Sequence, residues 1–377
     1  MIPYILTLFL ICVYSTTQHK YSNIGRKRIV CLSFIMIILL SSLRKWTVGI
    51  DLRQYYYKSF IQFLSWSWKD VEKNPYEAGY YYLNVFIGKL FGNPQFFIVA
   101  TSLIVFSIIG WFIYRNSDDV LMSIFLFIAY LYWFMFLNII RQAIAVSIVL
   151  IASEILKSKE VGIKRISIFV LLVFLASTFH NSAILMLCLL PIHYLRFKRK
   201  EILEAILVII VALLTYDRFF SFAAGLMNHR DYVGAYLDKG KLDTGILTII
   251  MIVLYASVFT LGAYRLVWKN KGTKNNPNAL NVIREPYSND FLMYMVLVVL
   301  VTRILATRLS IVGRISYYFY PYLLILLPRI ERNIHLKNNR VVFKTIVYGI
   351  SLLMFLLVGY TKAGEFYGTV PYEFFWQ

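Results

Sequence analysis

The sequence predicts an all-α protein that crosses a membrane many times, and three observations carry that prediction. Apolar residues make up 59% of the chain and charged residues only 15%, where soluble domains run at about 45–50% and about 25%. Apolar windows of about 20 residues, the length a helix needs to span a bilayer, recur from one end to the other. Between them lie short clusters of Lys and Arg, which account for most of a formal charge of +20 and follow the positive-inside pattern of cytoplasmic loops.

The chain reads as a single integral membrane domain over 1–377, because its polar stretches are too short to hold a soluble domain. The first window, 2–17, lacks a basic leader and a small-residue cleavage site, so it is expected to be a retained helix. The next is 29–43. An outer loop, 44–93, follows, within which 77–92 is expected to lie as an interfacial or re-entrant helix, since a further span there would put the basic loop 157–165 outside. Spans are then expected at 94–114, 119–137 and 138–156. The stretch 166–195 is short for two spans, yet both flanks are basic, so two short helices should meet near His180. Windows at 201–216, 245–267, 289–305, 311–328 and 342–360 complete a set of about twelve helices. The remaining segments are an outer loop 217–244, a cytoplasmic loop 268–288 and an outer tail 361–377, with both termini outside.

Some chemistry is set aside at this stage. Cys12, Cys31 and Cys188 fall in apolar segments without a CxxC or Cys/His pairing, so neither a disulfide framework nor a zinc site is expected. The positive charge is too unevenly spread to indicate nucleic-acid binding and mostly reflects loop charges of the positive-inside kind. No internal repeat of the transporter kind is visible. The adjacent acids of "SDDV" (117–120) lie on the expected cytoplasmic side, so no metal and no cofactor is predicted.

The polar residues left on the outer side are more telling. Arg141 sits in an otherwise apolar run from Asp119 to Leu156, where an arginine costs roughly 2.5–3.5 kcal/mol on insertion scales and is a functional-site candidate by default. Asn138 and Gln142 flank it, and Arg44, Asp51, Arg53 and Glu77 border the first outer loop. His180 is placed at the outer hairpin. Arg303, Arg308 and Arg314 surround a later outer turn, where Arg314, Tyr317 and Tyr318 recur at helical spacing and are expected to share a face. Arg218, His229, Arg230 and Asp231 lie in 217–244. Convergent guanidinium groups suit phosphate or diphosphate, so a lipid-linked anionic substrate is indicated. The 29 Tyr and 29 Phe supply an interfacial belt, with clusters such as "QYYYKSF" also suited to stacking on sugar rings.

Six motifs, taken together, resemble the EpsG-like branch of the Wzy polymerases of bacterial exopolysaccharide and capsule synthesis: "RKWTVGIDLRQYY" (44–56), "YEAGYYYLN" (76–84), "FLNIIRQAIAVSI" (136–148), "ASTFHNSAIL" (176–185), "GRISYYF" (313–319) and "GTVPYEFFW" (368–376). The resemblance implies a GT-C-like architecture in the bacterial cytoplasmic membrane. It implies transfer of a growing glycan from undecaprenyl diphosphate to a fresh lipid-linked repeat unit on the outer face, with a chain-length regulator and a flippase as partners. The family's arginines fall on Arg44, Arg141 and Arg314, its acids on Asp51 and Glu77, and its histidine on His180. The expectation is an inverting, metal-independent transfer in which Arg141 and Arg314, supported by Arg44, hold the diphosphate. A general base would be His180, with Asp51 and Glu77 as alternatives or as orienting groups, and Asn138, Gln142, Tyr317 and Tyr318 would support the site. A lipid-linked glycan ligase would need the same clamp, and a flippase is the reading from a different class.

Overall fold

The computed structural model describes residues 1–18, 22–157, 161–226, 245–268, 287–308, 310–361 and 367–377. His229, Arg230, Asp231 and most of the 217–244 and 268–288 loops lie outside the described residues, and nothing is described of the Arg218 side chain. The described chain is α-helical. Its one β-type pairing, among the described residues, is an isolated bridge between Arg44 and Phe374. The predicted all-α class is therefore what the chain adopts.

In order, the helices are α1 Ile2–Thr16, α2 Asn23–Ser42, α3 Tyr57–Leu64, α4 Ala78–Phe91, α5 Pro94–Asn116, α6 Val120–Ala129, α7 Tyr132–Asn138, α8 Ile140–Ile155, α9 Ile163–Ser177, α10 Leu189–Tyr194, α11 Lys200–Leu226, α12 Ile246–Gly262, α13 Asn289–Leu305, α14 Tyr320–Arg332 and α15 Lys337–Thr361. A π-helical turn, Leu52–Tyr56, leads into α3, and 3₁₀ segments occupy Asn181–Cys188 and Ser310–Tyr318.

Three described helices are long and apolar enough to cross a membrane: Pro94–Asn116, Thr248–Trp268 and Lys337–Tyr360. The bent pair α6 and α7, folded through 59°, makes a fourth. This is fewer than the twelve windows in the sequence, for a physical reason: α1, α8 and α9 have 15 or 16 residues, short of the roughly 17–25 of an ordinary span. Two expected helices differ in their bounds from the prediction. The window 311–328 opens as 3₁₀ winding before α14, and the helix expected over 201–216 runs on to Leu226.

The chain, read as one membrane domain, divides into two compact units. One comprises Met1–Leu190, Ile283–Pro286 and Glu331–Gln377; the other comprises Pro191–Val282 and Tyr287–Ile330.

In the first unit α2 packs along α5, α8 along α9, and α5 along α8. The α6–α7 pair is buried among them, and every residue of α7 is buried. A helix apolar on all sides has no solvent face to keep. The pair breaks at Leu131, whose φ of 59° lies in the left-handed region. At the Asn116 end of α5, Glu154 accepts from Arg115 at 2.8 Å and Asn116 at 2.7 Å and pairs with Lys157 at 2.8 Å. The acids of "SDDV" pair with bases there: Asp118 with Arg332 at 2.6 Å and Asp119 with Lys344 at 3.0 Å. At the other end of α5, Gln95 Nε2 donates to the carbonyls of Ser42 and Arg44. The 23 residues of α5 thus separate two polar zones by about 35 Å at roughly 1.5 Å per residue, enough to cross a bilayer's hydrocarbon core of about 30 Å.

In the second unit α12 packs on α13, and Tyr255 stacks on Tyr320 with ring centres 6.0 Å apart. Arg329 is buried and donates to the Tyr287 carbonyl at 2.6 Å.

Candidate active site

The Gln95 end of the first unit gathers residues from four separate motifs. The first connection is made by backbone. α9 ends at Ser177, leaving C-terminal carbonyls without helical partners, and α4 begins at Ala78, leaving N–H groups equally unpartnered. The Thr178 carbonyl accepts from Gly79 N at 2.8 Å and Tyr80 N at 3.4 Å, so the negative end of one helix meets the positive end of the other. Gly79 is required for the approach: a Cβ there would lie 2.3 Å from Thr178 Oγ1 and 2.8 Å from the Thr178 carbonyl oxygen.

That junction sets Glu77, the residue preceding α4, beside His180. Glu77 does not cap its own helix. One carboxylate oxygen, Oε1, accepts from Asn181 N at 3.2 Å and lies 3.4 Å from His180 Nδ1. The other, Oε2, is paired with Arg141 Nη1. The carboxylate therefore bridges histidine and arginine, with its side chain only 9% exposed, against 24% for Arg141 and 19% for His180. Burial pushes the Glu77 carboxyl upward, but the His180 imidazole and the Arg141 guanidinium more than reverse this and hold it at about 2.

Arg141 occupies the first turn of α8, where a cation faces the positive end of the helix dipole. Glu77 offsets that, and three tyrosines enclose the guanidinium. It lies 4.8 Å from the centre of the Tyr76 ring and 5.9 Å from that of Tyr80, and Tyr56 hydrogen-bonds to it. Burial pushes the Tyr56 phenol up to about 12, although the Arg141 charge pulls the other way. Arg141 Nε is buried without a hydrogen-bond partner among the described residues.

The start of α8 is set by a break. Backbone at Ile139 leaves helical geometry (ψ 48°) between α7 and α8. Asn138, buried, accepts from Asp51 N at 3.2 Å and donates to the Phe134 carbonyl at 3.0 Å, so it ties the 44–56 segment to the break. Gln142 is also buried. An apolar groove of about 430 Å³ adjoins the Glu77–His180 pair, lined by Ala78, Gly79, Tyr82, Leu83, Phe86, Leu175, Thr178 and Phe179.

The first unit thus brings together Glu77, His180, Arg141, Asn138 and the Asp51 backbone. Arg44 is placed otherwise: it is 1% exposed, and its Nη1 donates to the Leu137 carbonyl at 2.9 Å. Arg314, Tyr317 and Tyr318 belong to the second unit. Their segment is 3₁₀ rather than α, so residues three apart eclipse and a fourth turns away: Arg314 is exposed while Tyr318 is buried at 1%. The expected shared face therefore does not form for Tyr318. Tyr56, Tyr76, Tyr80 and Gly79 escaped the reading of the sequence as site residues. Their signal was the position of Tyr76, Gly79 and Tyr80 on either side of Glu77.

Among the described residues no three His, Cys, Asp or Glu side chains gather as a metal-ligand set. No curated protein and no solved structure matches the chain. One comparison is positive, and it covers all six motifs but for the last two residues of the final one. Membership there indicates a membrane-bound polysaccharide polymerase acting on a lipid-linked oligosaccharide. Residues 27–374 match the model of the EpsG family, and the chain belongs to that family.

Proposed function

We propose that the protein transfers a growing glycan from undecaprenyl diphosphate to the sugar of an incoming lipid-linked repeat unit, on the outer face of a bacterial cytoplasmic membrane. The observation that carries this reading is the bridge made by Glu77 between Arg141 and His180. It sets a guanidinium suited to a diphosphate leaving group beside an imidazole suited to the acceptor's proton.

In the proposed step the acceptor hydroxyl oxygen bonds to the anomeric carbon of the growing chain. The bond from that carbon to the diphosphate oxygen breaks, and undecaprenyl diphosphate leaves. A single displacement of this kind inverts the anomeric centre. Arg141, at the N-terminus of α8, takes up the charge that develops on the leaving diphosphate. Its buried Nε, unpartnered among the described residues, supports that role. Of the three candidate bases, a carboxyl held at about 2 is a poor proton acceptor near neutrality. Glu77 is therefore assigned to orienting groups. His180 Nδ1 lies 3.4 Å from Glu77 Oε1, and Nε2 is assigned to the acceptor proton, the logic of a carboxylate–histidine pair. Asp51 supports the site through its backbone. The isoprenoid end next to the diphosphate is assigned to the apolar groove beside Gly79. The role of Arg314 as a second diphosphate ligand rests on the resemblance.

The test is mass spectrometry of lipid-linked glycans in host cells carrying wild type, a deletion, Arg141→Ala or His180→Ala. The expected result is long chains in wild type and a single repeat on undecaprenyl diphosphate in the other three. Long lipid-linked chains in the deletion strain would overturn the polymerase reading.

A further inference from the structure

Residues 367–376 form a strap across the segment that leads from α2 into the site. Gly49 N donates to the Gly368 carbonyl at 2.8 Å, Lys45 N to that of Glu373 at 2.9 Å, and Phe375 N to that of Leu43 at 2.9 Å. Side chains reinforce the pairing. Tyr372 Oη donates to the Leu40 carbonyl at 2.7 Å, and Thr47 Oγ1 to Glu373 Oε2 at 2.8 Å. Lys45 pairs with the same carboxylate at 3.4 Å. Beneath the strap lies Arg44. A buried guanidinium is costly unless its donors are used, and one of them reaches the Leu137 carbonyl. Leu137 is one residue from the end of α7, where carbonyls lose their helical partners. Burial lowers Arg44 to about 10, with Tyr4 and Tyr372 acting in the opposite sense, so it stays cationic at neutral pH.

We infer that the strap and Arg44 are positioning elements that hold the α7–α8 break, and through it Arg141, and that Arg44 does not touch substrate. The mechanical path is short. The strap fixes 43–49, Arg44 grips the Leu137 carbonyl, the Asp51 amide grips Asn138, and Arg141 follows three residues later. This goes beyond the proposed reaction, because the hold on the break exists whatever chemistry Arg141 performs.

The first experiment is hydrogen–deuterium exchange of the full chain in nanodiscs, compared with a chain ending at residue 366, with and without a peptide of residues 367–377 added in trans. Exchange at 138–142 is expected to rise at least about tenfold on truncation and to fall again with peptide, while α5 stays protected. Unchanged exchange at 138–142 in the truncated chain overturns the inference. If truncation unfolds the chain, Glu373→Ala, which removes only the Thr47 and Lys45 contacts, reads the same amides: a rise supports the strap, and no change overturns it. The second experiment is a double-mutant cycle on polymerisation. Arg44→Ala is expected to lower turnover by about 100-fold with the KM for repeat unit changed less than about threefold, and to add little in an Arg141→Ala background. Losses that multiply, or a KM raised in step with the lost turnover, would make Arg44 a ligand and overturn the inference. A chain that never polymerises even as wild type, yet shows the exchange response, would remove the proposed reaction and leave the strap standing.

Discussion

Replacing Gly79 by alanine should break the site without removing any of its functional groups. Near the start of an exposed helix, Gly→Ala ordinarily stabilises by roughly 1 kcal/mol, so the sign of the effect is itself informative. Here the new methyl would sit 2.8 Å from the Thr178 carbonyl oxygen, whereas carbon–oxygen contacts run at about 3.3–3.6 Å. The backbone of α4 must therefore withdraw from the Thr178 turn by roughly 0.5 Å or more. Overpacking of this kind costs about 1–3 kcal/mol, and stretching the 2.8 Å Gly79–Thr178 hydrogen bond adds roughly 1 kcal/mol. Glu77, two residues upstream, moves with the helix and leaves His180 and Asn181. A displacement of this order lowers turnover by about 10- to 100-fold. The measurements are the length distribution of lipid-linked glycan, the turnover of purified protein in nanodiscs, and the thermal midpoint. Thr178→Ala removes the hydroxyl but not the carbonyl, so the Gly79→Ala/Thr178→Ala chain should recover only part of the activity. Polymerisation by Gly79→Ala within about twofold of wild type, a difference of roughly 0.4 kcal/mol, would refute the account of how Glu77 is placed.

The other expectations concern charge. Glu77→Gln leaves Arg141 without its carboxylate in a part-buried setting, between the roughly 0–1 kcal/mol of a surface pair and the roughly 3–5 kcal/mol of a broken buried one; a loss of about 2–3 kcal/mol in chemical unfolding is expected. The pH dependence of that loss has a defined sign. Glu77 is held at about 2 against an ordinary 4.5, so its contribution is complete above about 4.5 and disappears as pH falls through about 2. The thermal midpoints of wild type and Glu77→Gln should differ constantly from pH 7 to about 5 and converge below that. Arg141→Lys keeps the charge but loses the planar fork and the stacking against Tyr76; turnover should fall at least about 100-fold with little change in the thermal midpoint. Glu154→Ala, at the opposite end of α5, strips Arg115 and Lys157 of a shared buried partner. It should cost about 3–5 kcal/mol of stability while folded molecules keep their KM.

What was legible in the sequence was what local pattern encodes. Apolar windows located α5, α12 and α15, and the basic flanks of 166–195 required a turn at His180, which is where α9 ends. Residue chemistry marked Arg141, Glu77 and His180. Their mutual contact was not legible, because Glu77 lies 64 positions from Arg141 and 104 from Asn181, and no periodicity spans such distances. Arg44 shows the opposite difficulty. As an arginine beside an outer loop it carried the same chemical signal as Arg141, yet it is sealed beneath residues more than 300 positions away. The winding of 310–318 was misjudged because α and 3₁₀ turns share the same residue preferences, and only the hydrogen-bond spacing separates them.

The strap has a consequence for the order in which the molecule is made. Tyr4, in the first turn of α1, donates to the carbonyl of Thr369, 365 positions further on. Synthesis proceeds at about 5–20 residues per second, so the Tyr4 hydroxyl meets this acceptor tens of seconds after α1 is made. During that interval the helices can insert and pair locally, and the loop above the break is held by Gln95, the Leu137 carbonyl and Asn138 without the strap's own hydrogen bonds. Pairings of such sequence separation form late. The strap's contacts are thus the last to join the site, and the hold on the 43–49 segment is completed only once residues 367–376 have been made.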